Sequence, residues 1–243
     1  MEEVSHLVQT FAVYALPVLL AITLHEAAHG YVARHFGDMT AYAQGRISLN
    51  PARHIDPLGT IVVPLVILFF SSGKFLFGWA KPVPVNYSAL RRPKRDMLWV
   101  AAAGPGSNLA MALGWAVLMR IGIAASDRAE AWQHLARSRG TPSLIDAVIQ
   151  QGSGAAEFLI GVGAAGVLVN LIFMLLNLLP ILPLDGGRIL ASLLPSRAAW
   201  QFAKLEPWGL PLLLLLLFTN TLGFVLGPLL AESDAVIRAF VLL

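Results

Sequence analysis

The 243-residue chain contains no cysteine. Disulfides and thiolate metal ligands are therefore excluded, and any metal site has to be built from His, Asp or Glu. Charge is scarce as well: Asp, Glu, Lys and Arg make up 13% of the residues, about half of the roughly 25% usual in soluble domains. Together with 57% hydrophobic residues and a mean hydropathy of +0.70, this excludes an ordinary soluble domain and fits a polytopic membrane protein. The net charge of +3 is no nucleic-acid footprint, because the basic residues fall in loops between apolar runs, and no nucleic-acid partner is expected. The acidic start Met1-Glu2-Glu3 lacks the basic n-region of a signal peptide, so no cleavable leader is expected.

What the chain has is long apolar runs with a few polar groups set into them. Val4–Leu24 suffices for a first span, and His25–Phe36 continues it as the polar end of the same helix. Leu58–Phe70 is short for a span and reads as a re-entrant or short fifth segment, extendable through Lys74 to Trp79. The two prolines and alternating valines of Gly78–Asn86 read as extended backbone, either a plain linker or an exposed edge near the membrane surface. Met97–Ile123 is a clear span whose Asn108 needs a partner, most simply an amide on another helix. Residues 125–156 form the one polar excursion, with a short helix between Thr141 and Gly152 on the outer membrane surface and a solvated His134. Glu157–Leu179 and Trp208–Ala231 complete the spans.

The expected fold is all-α and polytopic, with about four full transmembrane helices, the fifth segment at 58–79, and a small extended or β region near the cytoplasmic face. It is read as one domain over 1–243, with its core at about 4–195 and its last span at about 208–231. Nine of the seventeen Lys and Arg lie between the first span and Met97, which assigns that side to the cytoplasm and the N-terminus to the outside.

The chemistry concentrates at His25-Glu26-Ala27-Ala28-His29. On a helix, residues i and i+4 share a face, so the two imidazoles can grip one Zn²⁺, with Glu26 placed to accept a proton from the attacking water. A hydrolytic zinc site needs a third protein ligand. Asp185 is the best candidate, since it follows the proline-broken run Asn177–Leu184 and comes to a similar depth on the same side. Asp38 and Asp56 sit in polar loops where solvation is the simpler account. An oxyanion also needs a donor, for which Asn177 is the first candidate and His54 a weaker one that a loop hydrogen bond explains equally well.

At these residues the chain resembles the site-2 protease family of intramembrane zinc metalloproteases. The likeness is carried by His25–His29, by Asn50-Pro51 through His54–Thr60, by Gly78–Asn86 with Ala103–Asn108, and by Asn177–Arg188 with its Leu-Asp-Gly after two prolines. The resemblance implies one zinc per chain held by His25, His29 and Asp185. It further implies Glu26 as general base, Asn177 stabilising the transition state, and a transmembrane protein as substrate, cut within or near the bilayer of a prokaryotic cell membrane. With no span expected before the metal-motif helix and no PDZ or CBS domain, the chain reads as a minimal form of that family. Two other readings use the same residues: a membrane metal-ion transporter or binding protein, and a non-catalytic relative that binds transmembrane helices.

Overall fold

The computed structural model describes residues 2–70, 78–152 and 154–242. Among them are ten α-helices and no strand. In chain order these are α1 (Glu2–His35), α2 (Thr40–Ala43), α3 (Val63–Phe70), α4 (Pro93–Ala125), α5 (Ala129–Gln151), α6 (Ala155–Asn177), α7 (Asp185–Leu193), α8 (Ser196–Ala203), α9 (Glu206–Phe218) and α10 (Thr221–Val241). Three of them, α1, α4 and α6, are long and apolar enough to cross a membrane, and α8 with α9, bent by 61°, makes a fourth if taken as one span. The all-α membrane architecture is therefore present. Residues 78–86 carry no regular secondary structure.

The chain divides into two compact units: residues 1–21, 106–176 and 224–243 in one, and 22–105 and 177–223 in the other. In the first unit, the core joins Val13, Met119, Ile123, Trp132, Leu144, Ile145 and Ile160. Glycines let α4 and α6 approach closely: a Cβ on Gly163 would lie 2.6 Å from the Met119 nitrogen, and one on Gly166 would lie 2.2 Å from the Trp115 ring. Asn108 donates to Asn170 Oδ1 at 2.9 Å, the interhelical amide partner that its sequence position called for. In α5, Gly140 takes φ +81° and kinks the helix just before Thr141-Pro142. The Thr141 N–H and hydroxyl donate to the Asp234 carboxylate, which also accepts from Arg238 Nε at 2.9 Å. Leu144, Ile145 and Val148 face the core together, and Gly152 caps the end as expected.

In the second unit, the segment read as re-entrant begins with a π-helix, Pro57–Val62, whose first N–H groups are met by Asp56: Gly59 N–H donates to its Oδ1 at 2.6 Å. Helix α3 follows. From Pro57 to Phe70 the helical rise is about 20 Å, short of the roughly 30 Å hydrocarbon core. Lys74 lies outside the described residues. The segment's flanks meet: Trp79 N–H donates to the Gly59 carbonyl at 3.0 Å, and Thr60 Oγ1 to the Trp79 carbonyl at 2.9 Å.

The region read as one last span, 208–231, is divided. Helix α9 ends at Phe218, and Asn220 adopts φ +58° before α10 begins. Asparagine tolerates that left-handed geometry at a helix end, and the sequence pattern of leucines on both sides hid the stop.

Candidate metal centre

All the residues of the candidate centre belong to the second unit. Helix α1 carries His25, Glu26 and His29 at its polar end. The run Leu179–Leu184 then breaks the chain after α6, because Pro180 and Pro183 cannot continue a helix. Its turn is tight: a Cβ on Gly186 would sit 2.2 Å from the Leu178 carbonyl oxygen, and one on Gly209 in α9 would sit 1.5 Å from the Leu182 oxygen. Only glycine permits these backbone approaches. The outcome is that α7 starts at Asp185 and delivers its carboxylate to the imidazole pair.

The three side chains converge. His25 Nε2 and His29 Nε2 are 3.1 Å apart, and Asp185 Oδ2 lies 3.2 Å and 3.3 Å from them. Their side chains are at most 12% exposed. Asp185 Oδ2 is buried with no hydrogen bond of acceptable geometry, although it faces both rings. Ligand bonds of about 2.0–2.1 Å in a tetrahedral site put ligand atoms about 3.3–3.4 Å apart, so the triangle has the dimensions of three corners of a zinc tetrahedron. An orphaned carboxylate oxygen facing two imidazole nitrogens is the donor set such an ion takes. Burial alone would raise the Asp185 pKa; interaction with the two rings outweighs it and holds the carboxyl below the usual carboxylate range.

Backbone groups set the orientation. His29 Nδ1 lies 2.7 Å from the Val100 carbonyl on α4, which fixes the ring and leaves Nε2 for the cluster. Glu26 Oε2 accepts the Val83 N–H at 2.7 Å. The segment that supplies this amide is itself braced: Lys81 N–H donates to the His54 carbonyl, and Arg46 to the Lys81 and Pro82 carbonyls. Gly104 faces the imidazoles, and a Cβ there would lie 2.5 Å from both His25 Cε1 and His29 Nε2. Beyond Asp185, Arg188 pairs with Glu206 at 3.0 Å and stacks over Tyr87 at 5.1 Å. Burial pushes the Tyr87 hydroxyl pKa up, against the opposing pull of Arg188.

The remaining sequence candidates divide. Asn177 is the last residue of α6 and half-buried. His54 is buried, with Nε2 2.8 Å from the Ser48 carbonyl, so the loop hydrogen bond accounts for it. Asp56 caps a helix. Asp38 corrects its sequence reading: far from being solvated, it is 1% exposed and accepts Thr40 N–H, Thr40 Oγ1 and Asn86 N–H at 2.5–2.9 Å. Three donors compensate its burial, a circumstance no local sequence pattern reports. Val83, Val100 and Gly104 were missed for a related reason, since they act through backbone groups or through an absent side chain.

A family profile described as Peptidase family M50 matches residues 78–218. The chain belongs to that family, the site-2 proteases. Among its relatives is YwhC of Bacillus subtilis (strain 168), provisionally named a zinc metalloprotease. It is 34% identical over 227 residues, which cover 93% of this chain and 89% of the relative. Rip2 of Mycolicibacterium smegmatis, provisionally named in the same way, is 26% identical over 84% of this chain and 66% of its own length. Rip2 of Mycobacterium tuberculosis (strain H37Rv) is 29% identical over the same shares. No solved structure matches the chain.

Proposed function

We propose that this M50 protein is a zinc-dependent endopeptidase that hydrolyses peptide bonds of transmembrane protein substrates within or near the membrane. The observation that carries the reading is the triangle of His25 Nε2, His29 Nε2 and Asp185 Oδ2, with sides of 3.1–3.3 Å. These three residues would hold one zinc ion. When bound, zinc supplies a Lewis acid that polarises the scissile carbonyl and lowers the pKa of water.

The chain's own residues supply the rest. Glu26, adjacent to His25 and steadied by the Val83 N–H, accepts the proton of the attacking water and returns it to the leaving amine. Asn177 donates to the developing oxyanion. Val100 holds the His29 tautomer. The excess of Lys and Arg between the first span and α4 favours a cytoplasmic location for the centre and an outside N-terminus.

The test is to purify the protein, quantify zinc, and follow cleavage of a membrane-embedded reporter by wild type and Glu26→Gln. The variant is expected to keep about one zinc per chain and lose cleavage. An unchanged cleavage rate would reject Glu26 as the base. Zinc flux into liposomes, abolished by His25→Ala in a protein that cuts nothing, would replace the protease reading with transport.

A further inference from the structure

A second polar site lies where α4 begins. A cavity of about 210 Å³ is lined by Phe36, Arg91, Arg92, Arg95, Asp96 and Trp99. It belongs to neither the metal cluster nor its supporting backbone groups. Three arginines and one aspartate are among its lining residues. That carboxylate is already engaged, since Asp96 Oδ2 accepts the Arg92 N–H at 2.8 Å and so ties down the first turn of α4. The cavity walls therefore carry a net charge of +2, and guanidinium forks match phosphate oxygens in pairs.

The position of the cavity narrows the ligand. Helices α1 and α4 are both candidate spans, and the cavity sits at the last residues of one and the first of the other. The Arg91 N–H donates to the Phe36 carbonyl at 3.0 Å, which fixes these two ends together. Trp99 stands nearly two turns into α4 and is 54% exposed, the placement of an indole near headgroup level. A phosphate held by the three arginines beside an indole and a phenyl ring has charged contacts on one side and apolar contacts on the other. A free phosphate uses only the first. We propose that this cavity binds the phosphodiester headgroup of an anionic phospholipid, anchoring the junction of α1 and α4 at the membrane surface.

The test uses the full chain in bilayer discs of mixed phosphatidylcholine and phosphatidylglycerol, released into mild detergent and weighed intact by native mass spectrometry. Wild type is expected to retain one phosphatidylglycerol in preference to phosphatidylcholine. The preference should fall about fivefold in Arg95→Gln and on the order of a hundredfold in the triple variant Arg91→Gln/Arg92→Gln/Arg95→Gln. It should persist in Arg139→Gln/Arg197→Gln, which removes charge elsewhere. Retention by the triple variant equal to wild type would overturn the proposal, and so would an equal loss in the remote double variant. If the triple variant fails to fold, an unchanged preference in Arg95→Gln overturns it alone. Displacement of the lipid by millimolar inorganic phosphate would assign the cavity to soluble phosphate and reject the lipid.

Discussion

The Glu26 carboxylate accepts the backbone N–H of Val83 at 2.7 Å, across 57 residues of sequence. Val83 lies between two prolines, which have no N–H of their own to offer, so the alternation of proline and valine leaves a single donor where the glutamate needs one. Val83→Pro removes that N–H and also replaces a side chain that is only 6% exposed, so its effect is read against a variant that alters the side chain alone. A hydrogen bond to a charged group contributes about 1.5–3 kcal/mol, so cleavage is expected to slow roughly tenfold to a hundredfold with zinc content unchanged. Val83→Ala, which trims the side chain and keeps the donor, should stay close to wild type. Equal losses in both variants would show that the valine side chain, not the amide, matters.

Gly104 is tightly constrained by the two imidazoles of His25 and His29. A methyl group there would lie 2.5 Å from both imidazoles, well inside van der Waals contact, and the rings cannot retreat without leaving Asp185. Gly104→Ala is therefore expected to reduce bound zinc well below one per chain and to abolish cleavage, with helical content retained. Gly106, two residues on, has open space around its Cβ position. Gly106→Ala is the matched control and should bind zinc as wild type does. Normal zinc in Gly104→Ala would mean that the two helices adjust more freely than their packing suggests.

Asp38 predicts a different kind of loss. It gathers Thr40 N–H, Thr40 Oγ1 and Asn86 N–H onto one buried carboxylate, thereby holding the end of the segment whose other amide reaches Glu26. Asp38→Ala strands three donors and should cost about 2–4 kcal/mol, read as a lower thermal midpoint. Cleavage should fall with it at fixed temperature, whereas zinc content of the folded fraction should not. A variant as stable as wild type would show that water replaces the carboxylate without cost.

The sequence pattern carried the all-α membrane architecture and the close approach of His25, His29 and Asp185. His25, His29 and Asp185 could be brought together on paper because helical spacing, span length and proline breaks all act along the chain, and topology then equates depths. The same logic gave Asn108 a partner without naming Asn170. It failed at Asn220, where a single left-handed residue divides a leucine-rich stretch of otherwise uniform hydropathy. It failed again at Asp38, whose burial depends on donors 2 and 48 residues away. Steric demands of the kind Gly104 meets were equally hidden, because a missing side chain announces nothing about what has taken its place.

The buried pair Asn108–Asn170 tests how much such internal polar contacts contribute. Both side chains are fully buried, Asn108 donates to Asn170 Oδ1 at 2.9 Å, and Asn170 donates onward to the Gly166 carbonyl at 2.8 Å. In a bilayer the alternative to this pairing is an unsatisfied amide, yet measured interhelical hydrogen bonds average only about 0.6 kcal/mol with a maximum near 1.7. A double-mutant cycle with Asn108→Leu and Asn170→Leu, followed by unfolding in mixed micelles, should give a coupling of about 1 kcal/mol. Each single variant should lose more stability than half of the double, because each leaves one amide without its partner. Zero coupling would reduce the pair to a packing contact. Lost zinc or lost cleavage in a correctly folded variant would instead move these amides from scaffold to chemistry.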